Sequence, residues 1–207
     1  MRSGRLSGPG ASVIFLLTGE MSEPDAPGMI SRRPVHRGPV VDLGIDTVRF
    51  PDGSTGELEL VRHSGAAAVL PVLSDPAGPD PQIVLVRQYR YAAGGWLYEV
   101  PAGRPHHPGE PWEECARREL LEEAGLVAGE LHHLTTIFTT PGFTDERIWL
   151  YLARDLTETR QALERDEWLT VEHLPLKEAL RLAEEGTITD AKSVCALVRA
   201  AKKLGLR

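Results

Sequence analysis

At 207 residues with 42% apolar side chains, the chain can bury one sizeable core, so a single domain is expected. Its formal charge of −7 argues against a surface built to hold nucleic acid or an anionic membrane. An anionic substrate must then be met locally, by metal ions or a few placed arginines.

Residues 1–35 are rich in Gly, Ser, Pro and Met without a sustained period and read as a flexible tail ahead of a domain over 36–207. The apolar run Val13-Ile14-Phe15-Leu16-Leu17 follows Arg2 and Arg5, but it is short, lacks a small-residue cleavage site and runs at once into acidic, proline-bearing sequence. It is not read as a signal peptide, and no apolar stretch approaches the ~18 residues of a membrane span.

Strand character begins at 41–50 and 56–63, around the turn Pro51-Asp52-Gly53, which predicts a hairpin. Residues 66–73 are nearly all apolar, as in a buried central strand. After a loop over 74–81 with three prolines, strands are predicted at 83–89 and 96–100, a helix at 110–124, and strands at 131–140 and 147–152. Two amphipathic helices close the chain, 176–185, ended by Gly186, and 189–203. This order predicts an α+β fold, an α/β/α sandwich on a mixed sheet. Cys115 and Cys195 show no metal-ligand spacing and read as core residues of a protein in a reduced, cytoplasmic compartment. Trp96, Trp112, Trp149 and Trp168 are expected to pack rather than to stack on a base.

The chemistry concentrates between Gly103 and Leu126. Glu119, Glu122 and Glu123 stand at i, i+3 and i+4, so one helix face projects three carboxylates close together. Like charges at this spacing repel by about 0.2–0.5 kcal/mol per pair, and anions near a helix C-terminus oppose the macrodipole. Both penalties call for a cation. Arg118, four residues before Glu122, can pair with it, and the hard oxygens suit Mg²⁺ or Mn²⁺ rather than zinc. A glutamate-rich helix is commonly only a solvated face, but interleaved Leu120 and Leu121, with Gly103 and Gly125 at the two ends, make the whole arrangement far rarer than its parts.

The string resembles the Nudix box, G-x5-E-x7-R-E-U-x-E-E-x-G-U, where U is a bulky aliphatic. From Glu110 to Leu126 it matches throughout, but six residues instead of five separate Gly103 from Glu110, which leaves the role of Glu110 open. The resemblance implies the Nudix sandwich and attack of water on a diphosphate linked to another moiety. It implies Glu119 and Glu123 as metal ligands, Glu122 sharing or bridging, Arg118 orienting them, and the backbone carbonyl of Ala102 completing the shell.

Leu85-Val-Arg-Gln-Tyr-Arg90, Glu99-Val-Pro-Ala-Gly103 and Thr140-Pro-Gly-Phe-Thr-Asp-Glu146 resemble the corresponding segments of the family's ADP-ribose pyrophosphatases, with Pro141 sixteen residues beyond Gly125. This implies a small nucleoside diphosphate substrate, ADP-ribose first, and another nucleotide sugar, a dinucleotide or a non-catalytic ligand sensor as alternatives. Arg90 is the candidate phosphate clamp, with Arg62 and Arg87 behind it. Glu99 is either a sheet residue or a contact to ribose or adenine, and Phe50 is a possible adenine platform. The same resemblance implies a general base outside the box, a glutamate on a loop after the last sheet strands, and the acidic stretch before Trp168 corresponds, with Glu167 first and Glu164 second. The subgroup also implies a homodimer that shares its N-terminal strands, here an antiparallel extension of the fold.

Overall fold

The computed structural model describes residues 26–75, 77–163 and 168–206. Three strands, β1 (Gly28–Arg37), β2 (Asp42–Arg49) and β3 (Thr55–Arg62), form an antiparallel sheet in sequence order, and the predicted hairpin is its β2–β3 pair. β1 begins inside the stretch read as a tail, so the boundary drawn after residue 35 cuts through a strand. The reason is physical: nearly every β1 side chain is exposed, so no two-residue apolar period marks it. The sheet is pinned by charge. Asp46, 2% exposed, accepts from Arg32 at 2.6 Å and from Arg62 at 2.8 Å.

The body contains two further sheets. In the first, β4 (Ala66–Pro71) runs parallel to β9 (Arg147–Glu158), which pairs antiparallel with β8 (Leu126–Phe138), while the two-residue β7 (Ala102–Gly103) lies on the other edge of β4. In the second, β5 (Gln82–Arg90) sits between β6 (Gly95–Glu99) and β10 (Leu169–Pro175). β10 has no counterpart among the predicted strands. As a partly exposed edge strand carrying Thr170, Glu172 and His173, it lacks the apolar run that marks a buried one. β8 and β9 also outrun their predicted lengths: Leu126, Ala128 and Leu156 in the added ends pack beneath α1, but the interleaved Gly129, Glu130, Arg154 and Asp155 break the apolar run that would mark them.

Helices α1 (Trp112–Ala124), α2 (Leu176–Glu184) and α3 (Ala191–Lys203) complete the sandwich. Alternating residues of β4 separate its two faces: Ala66, Ala68 and Leu70 pack with α2 and α3, while Ala67 and Val69 pack with α1. β9 alternates likewise, with Ile148, Leu150 and Leu152 on one face and Tyr151 and Ala153 on the other. Each fully buried leucine contributes about 1.5–3 kcal/mol of apolar burial, and the small alanines of β4 leave room for helices on both sides. The expected α+β sandwich with a mixed sheet is what forms. Among the described residues no helix is long and apolar enough to cross a membrane.

Two tryptophans pack as expected, Trp112 and Trp149 stacking with ring centroids 3.7 Å apart. The other two are more open: Trp96, 48% exposed, packs edge-on against Tyr89 with centroids 5.8 Å apart, and Trp168 is 70% exposed, because each lies at an end of the second sheet rather than between layers.

Candidate active site

α1 starts at Trp112, two residues later than the pattern suggests, because Pro111 takes the N-cap and the carboxylate of Glu110 is used in the preceding loop. There Glu110 accepts the His106 backbone N–H at 2.6 Å and Arg118 Nε at 3.2 Å. The extra loop residue is therefore absorbed without loss of the Glu110–Arg118 contact. Burial alone would raise the pKa of Glu110, but the bonds from Arg118 and His106 outweigh it and hold it below the usual carboxylate value. At the other end Gly125, at φ 65°, closes the helix, and a Cβ there would meet the backbone of Thr159 and Gln161.

The carboxylates at the C-terminal half of α1 are tied to Arg118 and to β7. Arg118 Nη1 reaches Glu119 Oε1 at 2.7 Å and Glu122 Oε2 at 2.9 Å, and its Nη2 donates to the Arg104 carbonyl at 2.8 Å. Desolvation disfavours the charged guanidinium, yet these acidic partners keep its pKa above the ordinary arginine value. Glu123, 2% exposed, accepts the Ala102 N–H at 2.9 Å, which fixes the peptide whose carbonyl the sequence reading singled out. Glu119, 5% exposed, lies against Gly103 so closely that a Cβ on that glycine would overlap its carboxylate.

Glu119, Ala102 and Gly103 face a cleft of about 570 Å³. His63 and Glu146 enter it from the ends of β3 and the 139–146 turn, and Gln88, Arg90 and Lys192 from β5 and α3. A larger cavity of about 860 Å³ follows the loop from Arg104 to Trp112, but the acid it contains, Glu110, is already engaged as described. The smaller cleft is thus where acidic and cationic groups meet with room for a ligand.

Arg90 points into this cleft and is held from behind by Glu99, with Nε to Oε1 at 2.8 Å and Nη2 to Oε2 at 2.9 Å. Glu99 is 2% exposed and also bonded by Lys192, so it backs the cleft rather than lining it. Its burial would raise its pKa, but hydrogen bonds from Arg90 and the charge of Lys192 win and lower it. Arg62 is elsewhere, bridging Asp46 and Asp145 at 2.8 and 2.9 Å. Pro141 is exposed in the turn outside the cleft, Arg87 lies over the rings of Trp96 and Tyr98, and Phe50 covers Gly56 in the hairpin. Glu164 and Glu167 lie outside the described residues.

Sequence reasoning did not single out Glu146, Gln88, His63 or Lys192. Glu146 stood at the end of a quoted motif. Its Oε2 accepts from the Thr139 hydroxyl at 2.8 Å, and its Oε1 lies 3.2 Å from His63 Nδ1. Among the described residues no three of His, Cys, Asp and Glu converge tightly enough to enclose a metal ion alone. The donor chemistry nevertheless fits a hard cation. Glu119, Glu123 and the Ala102 carbonyl offer only oxygen, and Mg²⁺ is commonly held by one or two carboxylates with the rest supplied by water and substrate phosphate.

Comparison with known proteins agrees with this geometry. A NUDIX domain model matches residues 63–197. An ADP-ribose pyrophosphatase of Bacillus subtilis (strain 168) is 36% identical over 170 residues, which cover 81% of this chain and 89% of that protein. A methanol dehydrogenase activator of Bacillus methanolicus is 38% identical over 170 residues, with the same 81% and 89% coverage. A crystal structure of an ADP compounds hydrolase superposes with a TM-score of 0.72 at 24% identity, covering 86% of this chain and 94% of that one, which supports the fold. With a complete Glu110-to-Leu126 match on a helix beside a cleft of acids and cations, the chain belongs to the NUDIX family, as one of its pyrophosphohydrolases.

Proposed function

We propose that this chain hydrolyses ADP-ribose to AMP and ribose 5-phosphate with a divalent cation, Mg²⁺ first and Mn²⁺ as a substitute. The observation that carries the reading is the shared cleft of Glu119, Ala102 and Arg90. One side offers oxygen donors to a cation and the other a guanidinium to the diphosphate. Glu119, Glu123 and the Ala102 carbonyl would hold the cation, with Glu122 sharing it from further out. When bound, the cation neutralises the diphosphate and lowers the pKa of an attacking water.

The protein's own part is positional and acid–base. Arg118 keeps Glu119 and Glu122 in place, and Glu123 fixes the Ala102 peptide. Arg90, braced by Glu99, takes a phosphate oxygen. The proton of the attacking water goes to a glutamate outside the box; the acidic stretch before Trp168 supports Glu167 first and Glu164 second. Glu146 is the competing carboxylate within the cleft.

Self-association belongs to the same reading. The first sheet exposes Met29, Ile30, Val35 and Leu58, a surface suited to a second copy of the chain. Light scattering on the eluting protein tests this, with a dimer expected.

Purified protein incubated with ADP-ribose, other nucleotide sugars and dinucleotides, with and without Mg²⁺, tests the main reading. Preferential release of AMP from ADP-ribose is expected, and equal or greater turnover of any other compound overturns the narrower assignment. The name of the Bacillus methanolicus relative supports a second reading, stimulation of a dehydrogenase, which an assay with and without such an enzyme decides.

A further inference from the structure

We infer that Lys192, in the first turn of α3, is a phosphate-binding residue of the cleft, acting beside Arg90. The inference rests on the diphosphatase reading above.

Glu99 receives more cation than one buried carboxylate requires. The Arg90 fork already satisfies both of its oxygens, at 2.8 and 2.9 Å, and Lys192 bonds to Oε2 as well. Lys192 also lies 3.1 Å from Asp190 Oδ2. That oxygen is occupied by the helix start, accepting the Ser193 N–H at 3.0 Å and the Ser193 hydroxyl at 2.5 Å. The four charges cancel, so the group is stable without a ligand.

Its donors are not used up, however. An ammonium has three N–H bonds; one goes to Glu99 and at most a second is drawn to the ion-paired Asp190, which leaves at least one. Arg90 uses Nε and Nη2 on Glu99, and its Nη1 has no hydrogen bond among the described residues. Both side chains line the cleft that contains Glu119, with the Lys192 side chain 11% exposed. The remaining N–H of Lys192 and the Nη1 group of Arg90 therefore provide adjacent donors for one anionic group, and a phosphate oxygen pair matches them.

The position is also held rigidly. The fully buried Ser193 hydroxyl accepts the Val100 N–H at 2.8 Å, which docks the start of α3 onto the segment leading to Ala102. Lys192 is thus registered against the part of the chain proposed to hold the cation, and the spacing between the cationic and acidic sides of the cleft is built in.

Steady-state kinetics on ADP-ribose with Lys192→Met, Lys192→Gln and Lys192→Arg test the proposal, together with thermal midpoints and pyrophosphate titrations by calorimetry. For Lys192→Met the expected result is a KM about tenfold higher with kcat within about threefold, and a similar weakening of pyrophosphate binding. Lys192→Arg should recover most of the loss. An unchanged KM and pyrophosphate affinity in Lys192→Met, with only a lower midpoint, would reduce the lysine to a counter-charge for Glu99 and overturn the proposal. If Lys192→Met does not fold, Lys192→Gln is read by the same criteria. If the wild type does not turn over ADP-ribose, the substrate assignment fails, and the pyrophosphate titrations alone decide the role of Lys192.

Discussion

Gly103 and Glu119 share one space: a β-carbon on the glycine would occupy the position of the glutamate's carboxylate. The opening glycine of the box is therefore a steric requirement of the acid sixteen residues later, not of its own backbone angles. Gly103→Ala must displace Glu119, and overpacking of this kind costs about 1–3 kcal/mol. The expected effect is a loss in kcat/KM on the order of 100-fold, since a displacement near 1 Å at a reacting centre has that scale. Circular dichroism should still report a folded chain, and activity near wild type would contradict the steric argument.

Glu119→Gln and Glu123→Gln each remove one charged oxygen donor with little change in shape. Losses beyond the roughly tenfold to 100-fold typical of residues that only orient a metal ligand are expected in kcat/KM. Chelation with EDTA should abolish wild-type turnover and added Mg²⁺ should restore it. A Glu123→Gln variant as active as the wild type would remove that residue from the proposed cation shell.

Arg118 serves Glu110, Glu119, Glu122 and the Arg104 carbonyl at once, which a lysine's single ammonium cannot do. Arg118→Lys is expected to lower kcat/KM by about tenfold to 100-fold, as outer-sphere partners do. Arg118→Met should also lower unfolding free energy by about 3 kcal/mol, because it strands partly buried carboxylates. Urea denaturation curves measure the second effect.

The pH dependence of stability should carry the mark of Glu99. Its folded pKa lies below the ordinary carboxylate value, so its contribution is complete above that value, ~4.3, and fades as pH falls through the folded one. Wild type should thus lose stability more steeply below about pH 4.3 than Glu99→Gln. The variant starts from a lower plateau, with Arg90 and Lys192 deprived of their carboxylate. Unfolding free energies from pH 7 to 2 provide the comparison, and parallel curves would exclude the assignment.

Cys115 should be inert. Burial, opposed only in part by the Arg118 charge, pushes its thiol up to about 12, and its side chain is enclosed beneath α1. Iodoacetamide at pH 8 should modify the partly exposed Cys195 first and leave Cys115 untouched until the chain unfolds. Mass spectrometry of the modified peptides distinguishes the two.

The parts of the site that could be read in advance are those encoded by local spacing. Glu119, Glu122 and Glu123 with Arg118 follow from helical geometry alone, and Gly103 and Gly125 mark the ends of the segment. Arg90 was legible as a strand arginine entering the box. Lys192 was not, because it meets Glu99 across 93 residues of sequence and sits in a helix whose pattern signals only packing. β1 and β10 were missed for a related reason: exposed strands are held by backbone pairing and charge, which leave no apolar period. Glu99 was ambiguous because no sequence pattern shows whether a strand acid faces a ligand or braces an arginine from behind.

β3 is joined to the turn that carries Glu146. The Val61 N–H donates to the Phe143 carbonyl at 2.8 Å, Asp145 returns a bond to Val61 at 3.3 Å, and Arg62 grips the Asp145 carboxylate at 2.9 Å. The stretch that matches the NUDIX domain begins at His63, one residue beyond these anchors. A fragment trimmed to that boundary would inherit all of α1 and the His63 N–H bond to Asp145 Oδ1 at 2.9 Å, but it would lose every bond that Val61 and Arg62 make to this rim of the cleft. For protein engineering, the frame that holds this rim therefore starts upstream of the recognisable signature, in the sheet that ends with β3.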